Sequence, residues 1–68
     1  MTQSERIVRH LRDYGSITSM EAMREYGIMR LASRISDLKK AGIPIRAEMV
    51  NGKNRYGEAT SYARYYLE

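Results

Sequence analysis

The chain has no cysteine, no tryptophan, no phenylalanine, one proline and one histidine in 68 residues. Without cysteine there are no disulfides, so a domain this small is held by packing or by a partner. His10 stands apart from any cluster of His, Cys or carboxylates. Neither a metal site nor a nucleophilic or acid–base catalytic set can be assembled from such residues. No glycine-rich phosphate loop follows a strand. The expectation is therefore no enzyme, no cofactor, no metal and no small-molecule substrate, with His10 in a packing or surface role. Nothing approaches the run of about 20 apolar residues that a membrane helix needs. Residues 1–6 are polar where a signal peptide would be apolar, which gives the expectation of a cytoplasmic protein that does not engage a membrane. There is no internal repeat, linker or low-complexity segment. The length permits one domain, 1–68, with one small core and no cleft between lobes.

What is present is a foldable, basic chain. A hydrophobic content of 43% against 29% charged residues is too apolar for a disordered segment. The net charge of +4 is unevenly placed. Residues 1–29 balance Arg6, Arg9, Arg12 and Arg24 against Glu5, Asp13, Glu21 and Glu25. Residues 30–57 set Arg30, Arg34, Lys39, Lys40, Arg46, Lys53 and Arg55 against only Asp37 and Glu48. The whole excess thus lies in that second stretch, since Arg64 is outnumbered by Glu58 and Glu68 in the remainder. A basic region confined to one part of a domain suits an acidic partner such as nucleic acid, though a solvated cationic face gives the same count.

Local signals divide the chain into elements. Thr2 with Glu5, and Thr18 with Glu21, have the spacing of capping boxes and open two helices. The first buries Ile7, Leu11 and Tyr14 with Val8 beside them and stops at Gly15; Glu5–Arg9 and Arg9–Asp13 are spaced as surface ion pairs. Ser16-Ile17 forms a short link or strand. The second helix runs roughly over 19–26, with Ala22, Met23 and Tyr26 inward, and stops at Gly27. About three residues later a third helix spans 30–40, with Leu31, Ile35 and Leu38 as its apolar stripe and Met29 at its N-cap. So short a connection requires the two helices to cross steeply. Met29 is a poor cap, and packing or partner contact both account for it.

Beyond Gly42 the period changes from 3.6 to 2. Residues 43–50 alternate, with Ile45, Ala47 and Met49 on one side and Arg46, Glu48 and Val50 on the other, and Pro44 marks a strand start or edge. Residues 51–57, opening with Asn51-Gly52, have turn chemistry, and a returning strand follows over about 60–67. The expected fold class is α+β: three helices followed by a β-hairpin.

This order resembles a winged helix-turn-helix domain, and more narrowly the small helix-turn-helix domains of bacteriophages and prophages. The resemblance is carried by Gly15-Ser16-Ile17-Thr18-Ser19-Met20-Glu21-Ala22, by Gly27-Ile28 with Arg30-Leu31-Ala32-Ser33-Arg34-Ile35-Ser36-Asp37-Leu38-Lys39, by Gly42 with Pro44-Ile45, and by Ala63-Arg64-Tyr65. It spans nearly the whole chain; Met29, where a hydroxyl cap is usual, departs from it. The resemblance implies that helix 30–40 enters the major groove and that the hairpin tip 51–57, the wing, lies along an adjacent backbone or minor groove.

On the residues themselves, Arg30, Ser33, Arg34 and Asp37 form the polar side of the third helix and can reach base edges and phosphates. Arg34 also has the i,i+3 spacing for a plain ion pair with Asp37. Lys39 and Lys40 can meet phosphate or simply favour the helix dipole. Lys53, Asn54 and Arg55 at the turn can contact backbone or only solubilise the wing. The hydroxyls of Thr18 and Ser19 can hold a phosphate at a helix start, or merely cap it. Tyr14, Tyr26 and Tyr65 fall at inward positions, while Tyr56, Tyr62 and Tyr66 are candidates for a dimer face, base stacking or a protein partner.

The leading expectation is a duplex DNA-binding module, a phage or prophage transcription regulator or recombination accessory factor working in the host cytoplasm. A single headpiece covers few base pairs, so a homodimer or protein partner is expected with it. The alternatives are a protein-interaction module that uses the same basic face on an acidic protein, and RNA binding through the strand tyrosines.

Overall fold

The computed structural model describes residues 2–68. Its elements, in chain order, are α1 (Gln3–Tyr14), β1 (Ser16–Thr18), α2 (Ser19–Tyr26), α3 (Leu31–Lys40), β2 (Ile45–Lys53) and β3 (Ala59–Leu67). Both capping boxes form. The Thr2 hydroxyl accepts from the Glu5 N–H, and Thr18 does the same for Glu21, while each glutamate returns to the backbone of its cap. The three strands make one antiparallel sheet in the order β1-β3-β2. Ser16-Ile17 is thus part of a true third strand, which pairs Ile17 with Tyr65.

One core joins the elements: Ile7, Leu11, Ile17, Ala22, Ile28, Leu31, Ile35, Leu38 and Ile45, with Val8, Tyr26, Ile43, Tyr65 and Leu67 packed against it. The stripe expected of α3 is fully buried. Two other inward expectations need correction. Tyr14 is 74% exposed and Met23 50% exposed. Tyr14 lies in the last turn of α1, beyond the core, with its ring tilted against that of His10 at 4.7 Å between centroids. The eight-residue α2 buries Ala22 alone, a stripe too narrow to include Met23.

His10 is a packing residue. It is buried, and a 2.6 Å hydrogen bond joins its Nδ1 to the Tyr26 hydroxyl. That bond fastens α1 to α2 across 16 residues of sequence. Tyr26→Phe leaves the buried imidazole nitrogen without its partner, so a loss of about 1–3 kcal/mol is expected in urea unfolding. Burial, assisted by Tyr14, Glu25 and Asp13, raises the Tyr26 phenol above its ordinary pKa. In rising pH the unfolded chain therefore ionises first. The stability that Tyr26 contributes is complete below the ordinary tyrosine value of about 10 and declines as pH climbs from there to the raised folded value. The Tyr26→Phe variant is expected to lose this part of the alkaline decline.

The hairpin is long. Its register pairs Ile45 with Leu67 at the base and Lys53 with Ala59 at the far end, a span of about 27 Å at the usual rise per residue. Only its base touches the core: Ile45 is buried, whereas Met49 on the same face is 66% exposed. The hairpin projects from the body, and the molecule extends 38 Å along its longest axis against 22 and 21 Å across.

The tip differs from the expected 51–57 turn. Asn51 and Gly52 lie within β2, paired with Ser61 and Thr60. The loop is 54–58, and one side chain organises it. Asn54 Oδ1 accepts from the N–H groups of Tyr56 and Glu58, and Asn54 Nδ2 donates to the Glu58 carboxylate. Gly57 completes the reversal at a φ of +78° that an L side chain rarely adopts.

Candidate nucleic-acid interface

The segment between α2 and α3 sets the attitude of α3. Gly27 takes a left-handed conformation (φ +68°), and its N–H caps the end of α2 on the Met23 carbonyl. The Ile28 N–H bonds the Ala22 carbonyl at 3.1 Å while its side chain is buried in the core. Met29 then points outward, 79% exposed. The N-cap of α3 is Arg30 rather than Met29, and its side chain makes no capping bond. The weak cap therefore lies one residue later than expected, and the first turn of α3 has open N–H groups beside an arginine. At the other end the Gly42 N–H bonds the Lys39 carbonyl and the Ile43 N–H bonds that of Leu38, a Schellman closure that turns the chain into β2.

With Leu31, Ile35 and Leu38 inward, the outward stripe of α3 is Ser33, Ser36, Asp37 and Lys40, all exposed at i, i+3, i+4 and i+7. Arg30 continues that side at the N-terminal end. Arg34 is on the flank, not mid-face. It is half-buried, and its guanidinium lies 3.5 Å from Asp37. Ser36, which the sequence reading passed over, stands on the stripe beside Asp37; the same i+3 spacing from Ser33 could have found it. Lys39 is exposed on the opposite flank.

At the α2 start, the Thr18 hydroxyl is buried, accepting from the Glu21 N–H and donating to Glu21 Oε1. It is committed to the cap, and Ser19 is the exposed hydroxyl there. In the wing, Asn54 is committed to the loop as described, which leaves Lys53 and Arg55 as exposed groups. The expected residues therefore fall into three clusters: α3, the wing, and a single serine at α2. The sequence reading also missed Arg64. On β3 it donates to Ser16 Oγ at 3.0 Å and lies 3.7 Å from Glu21, linking the sheet to α2. Only the β1–β3 pairing brings these residues together, so no local signal could show it.

The charge pattern is clearer than the count suggested. Arg9 pairs with Asp13, Arg24 with Glu25, Arg34 with Asp37, Arg46 with Glu48 and Arg64 with Glu21. Arg46 also stacks on the Tyr66 ring at 4.5 Å. Among the described residues, the cations with no carboxylate within 4.0 Å are Arg6, Arg12, Arg30, Lys39, Lys40, Lys53 and Arg55. Five of these seven belong to α3 with its N-cap and to the wing. No group of three His, Asp or Glu residues suited to a metal occurs among the described residues. No helix among them is long and apolar enough to cross a membrane.

A helix, a left-handed glycine turn, a second helix with an open polar face, and a projecting hairpin with a cationic tip are now in place. A family model described as a winged helix-turn-helix domain matches residues 2–68. The chain belongs to the winged helix-turn-helix family. Its α2 and α3 are the helix-turn-helix and its β2–β3 hairpin is the wing, the layout of a DNA-binding module. No curated protein and no solved structure matches the chain.

Proposed function

We propose that this winged helix-turn-helix domain binds duplex DNA, with α3 in the major groove and the wing along a neighbouring stretch of backbone. The observation that carries this is the placement of unneutralised charge. Arg9, Arg24, Arg46 and Arg64 in α1, α2 and the sheet body are held by carboxylates, and Arg6 and Arg12 of α1 are free, whereas Arg30, Lys39, Lys40, Lys53 and Arg55 are all free and gathered at α3 and the wing tip. These five supply affinity by neutralising phosphates. Ser33, Ser36 and Asp37 face the base edges, and Arg34 reaches guanine only by leaving Asp37. Ser19 adds a phosphate contact at the α2 start. The role is recognition rather than catalysis. The motif resemblance extends the proposal to a small phage or prophage regulator or recombination accessory acting in the host cytoplasm.

Fluorescence anisotropy with a labelled random duplex, titrated over a range of salt concentrations, tests the reading. Log affinity is expected to fall with log salt at a slope of about −4 to −5, the value for five phosphate contacts. Absence of binding at low salt overturns the reading and leaves the basic face to an acidic protein partner.

A further inference from the structure

The sheet order leaves the outer side of β2 without a neighbour along all nine residues. A free edge of that length offers its backbone N–H and C=O groups to another strand. Charges on an edge ordinarily deter pairing, but those on β2 are arranged to permit one register. From 45 to 49 the strand reads Ile, Arg, Ala, Glu, Met: apolar, cationic, small, anionic, apolar. Read in reverse, the classes remain matched with the charges exchanged.

We propose that this edge is a docking surface for a second copy of the chain, with β2 lying antiparallel to its counterpart about a two-fold axis through Ala47. In that register Arg46 of each copy faces Glu48 of the other, twice. Ile45 likewise faces Met49, twice, so that the exposed methionine covers the edge of the core. Centring the axis on Arg46 or on Glu48 instead sets like charges face to face. Centring it on Met49 sets Arg46 opposite Gly52 and leaves both charges unmatched. The groups concerned are accessible: the Arg46 and Glu48 side chains are 47% and 50% exposed, and Met49 is 66% exposed. Pro44, which cannot donate, lies just outside the five matched positions. The result is an isologous interface and a six-stranded sheet with both helical layers on the same side. The two wings then point in opposite directions.

Sedimentation equilibrium without DNA tests this independently of the DNA reading. From micromolar to millimolar concentration the wild-type mass is expected to rise from 7.9 kDa toward twice that value. Arg46→Glu and Glu48→Arg, each alone, place like charges across the axis and are expected to weaken association about 10- to 100-fold. Mixing the two variants restores association, because every facing position then holds opposite charges; two misfolded proteins would not recover in this way. A wild type that stays at 7.9 kDa up to millimolar concentration overturns the proposal. So does a dimer that both variants form as well as the wild type.

Discussion

Replacing Lys53 and Arg55 together by alanine is expected to weaken duplex binding about 60-fold at about 0.1 M salt and to make the salt slope shallower by nearly two. Both figures have the same origin. Each neutralised phosphate contributes about 0.9 to the slope of log affinity against log salt, and 0.1 M lies one decade below the 1 M reference. Two lost contacts therefore remove about 1.8 log units of affinity at that salt and 1.8 from the slope. Stability should not change, because neither side chain takes part in an ion pair or in the hydrogen bonds that close the 54–58 loop. Asn54 would be a poor choice for this experiment, since its removal dismantles the loop. The measurement is an anisotropy titration at several salt concentrations beside a thermal melt. If affinity falls while the slope stays fixed, the wing is not a phosphate contact.

The elements with local causes were legible in the sequence. Thr2–Glu5 and Thr18–Glu21 are three residues apart and close on themselves, so two helix starts needed no tertiary information. The stripe of α3 was equally plain because three branched or aliphatic residues recur on one face and all are buried. Features that failed depend on which of several competing contacts the fold realises. Tyr14 has the spacing of a core residue, but the core ends one turn before it. Asn51-Gly52 has the dipeptide of a tight hairpin turn, but Asn54 collects two N–H groups three residues later and moves the reversal there. His10 could be read as packing, while its partner, 16 residues on, could not. In the candidate interface the residue types were legible, and so were the local partners of Thr18 and Arg34, Glu21 and Asp37, each three residues on. Which alternative the fold takes was not, and the commitment of Asn54 to its own loop had no signal in the spacing.

Met29 and Leu31 are neighbours in sequence at the start of the reading helix, and the structure assigns them opposite consequences. Leu31 is 2% exposed and belongs to the core; Met29 is 79% exposed and supports nothing in the domain. Leu31→Ala removes a buried aliphatic side chain and leaves a cavity, at a cost of about 2–5 kcal/mol. A domain of this length has a total stability of only about 3–10 kcal/mol. The expected fall in Tm is therefore at least about 10 °C, and toward the upper end the variant is largely unfolded at 25 °C. Met29→Ala should lie within about 0.5 kcal/mol of wild type. Thermal and urea unfolding followed by circular dichroism separate the two. DNA titration then adds what unfolding cannot: Leu31→Ala loses binding in proportion to the unfolded fraction, whereas any loss in Met29→Ala reports direct contact with the partner. If Met29→Ala is instead destabilised as strongly as Leu31→Ala, the outward turn of the chain after Ile28 is wrong, and with it the attitude of α3 toward the groove.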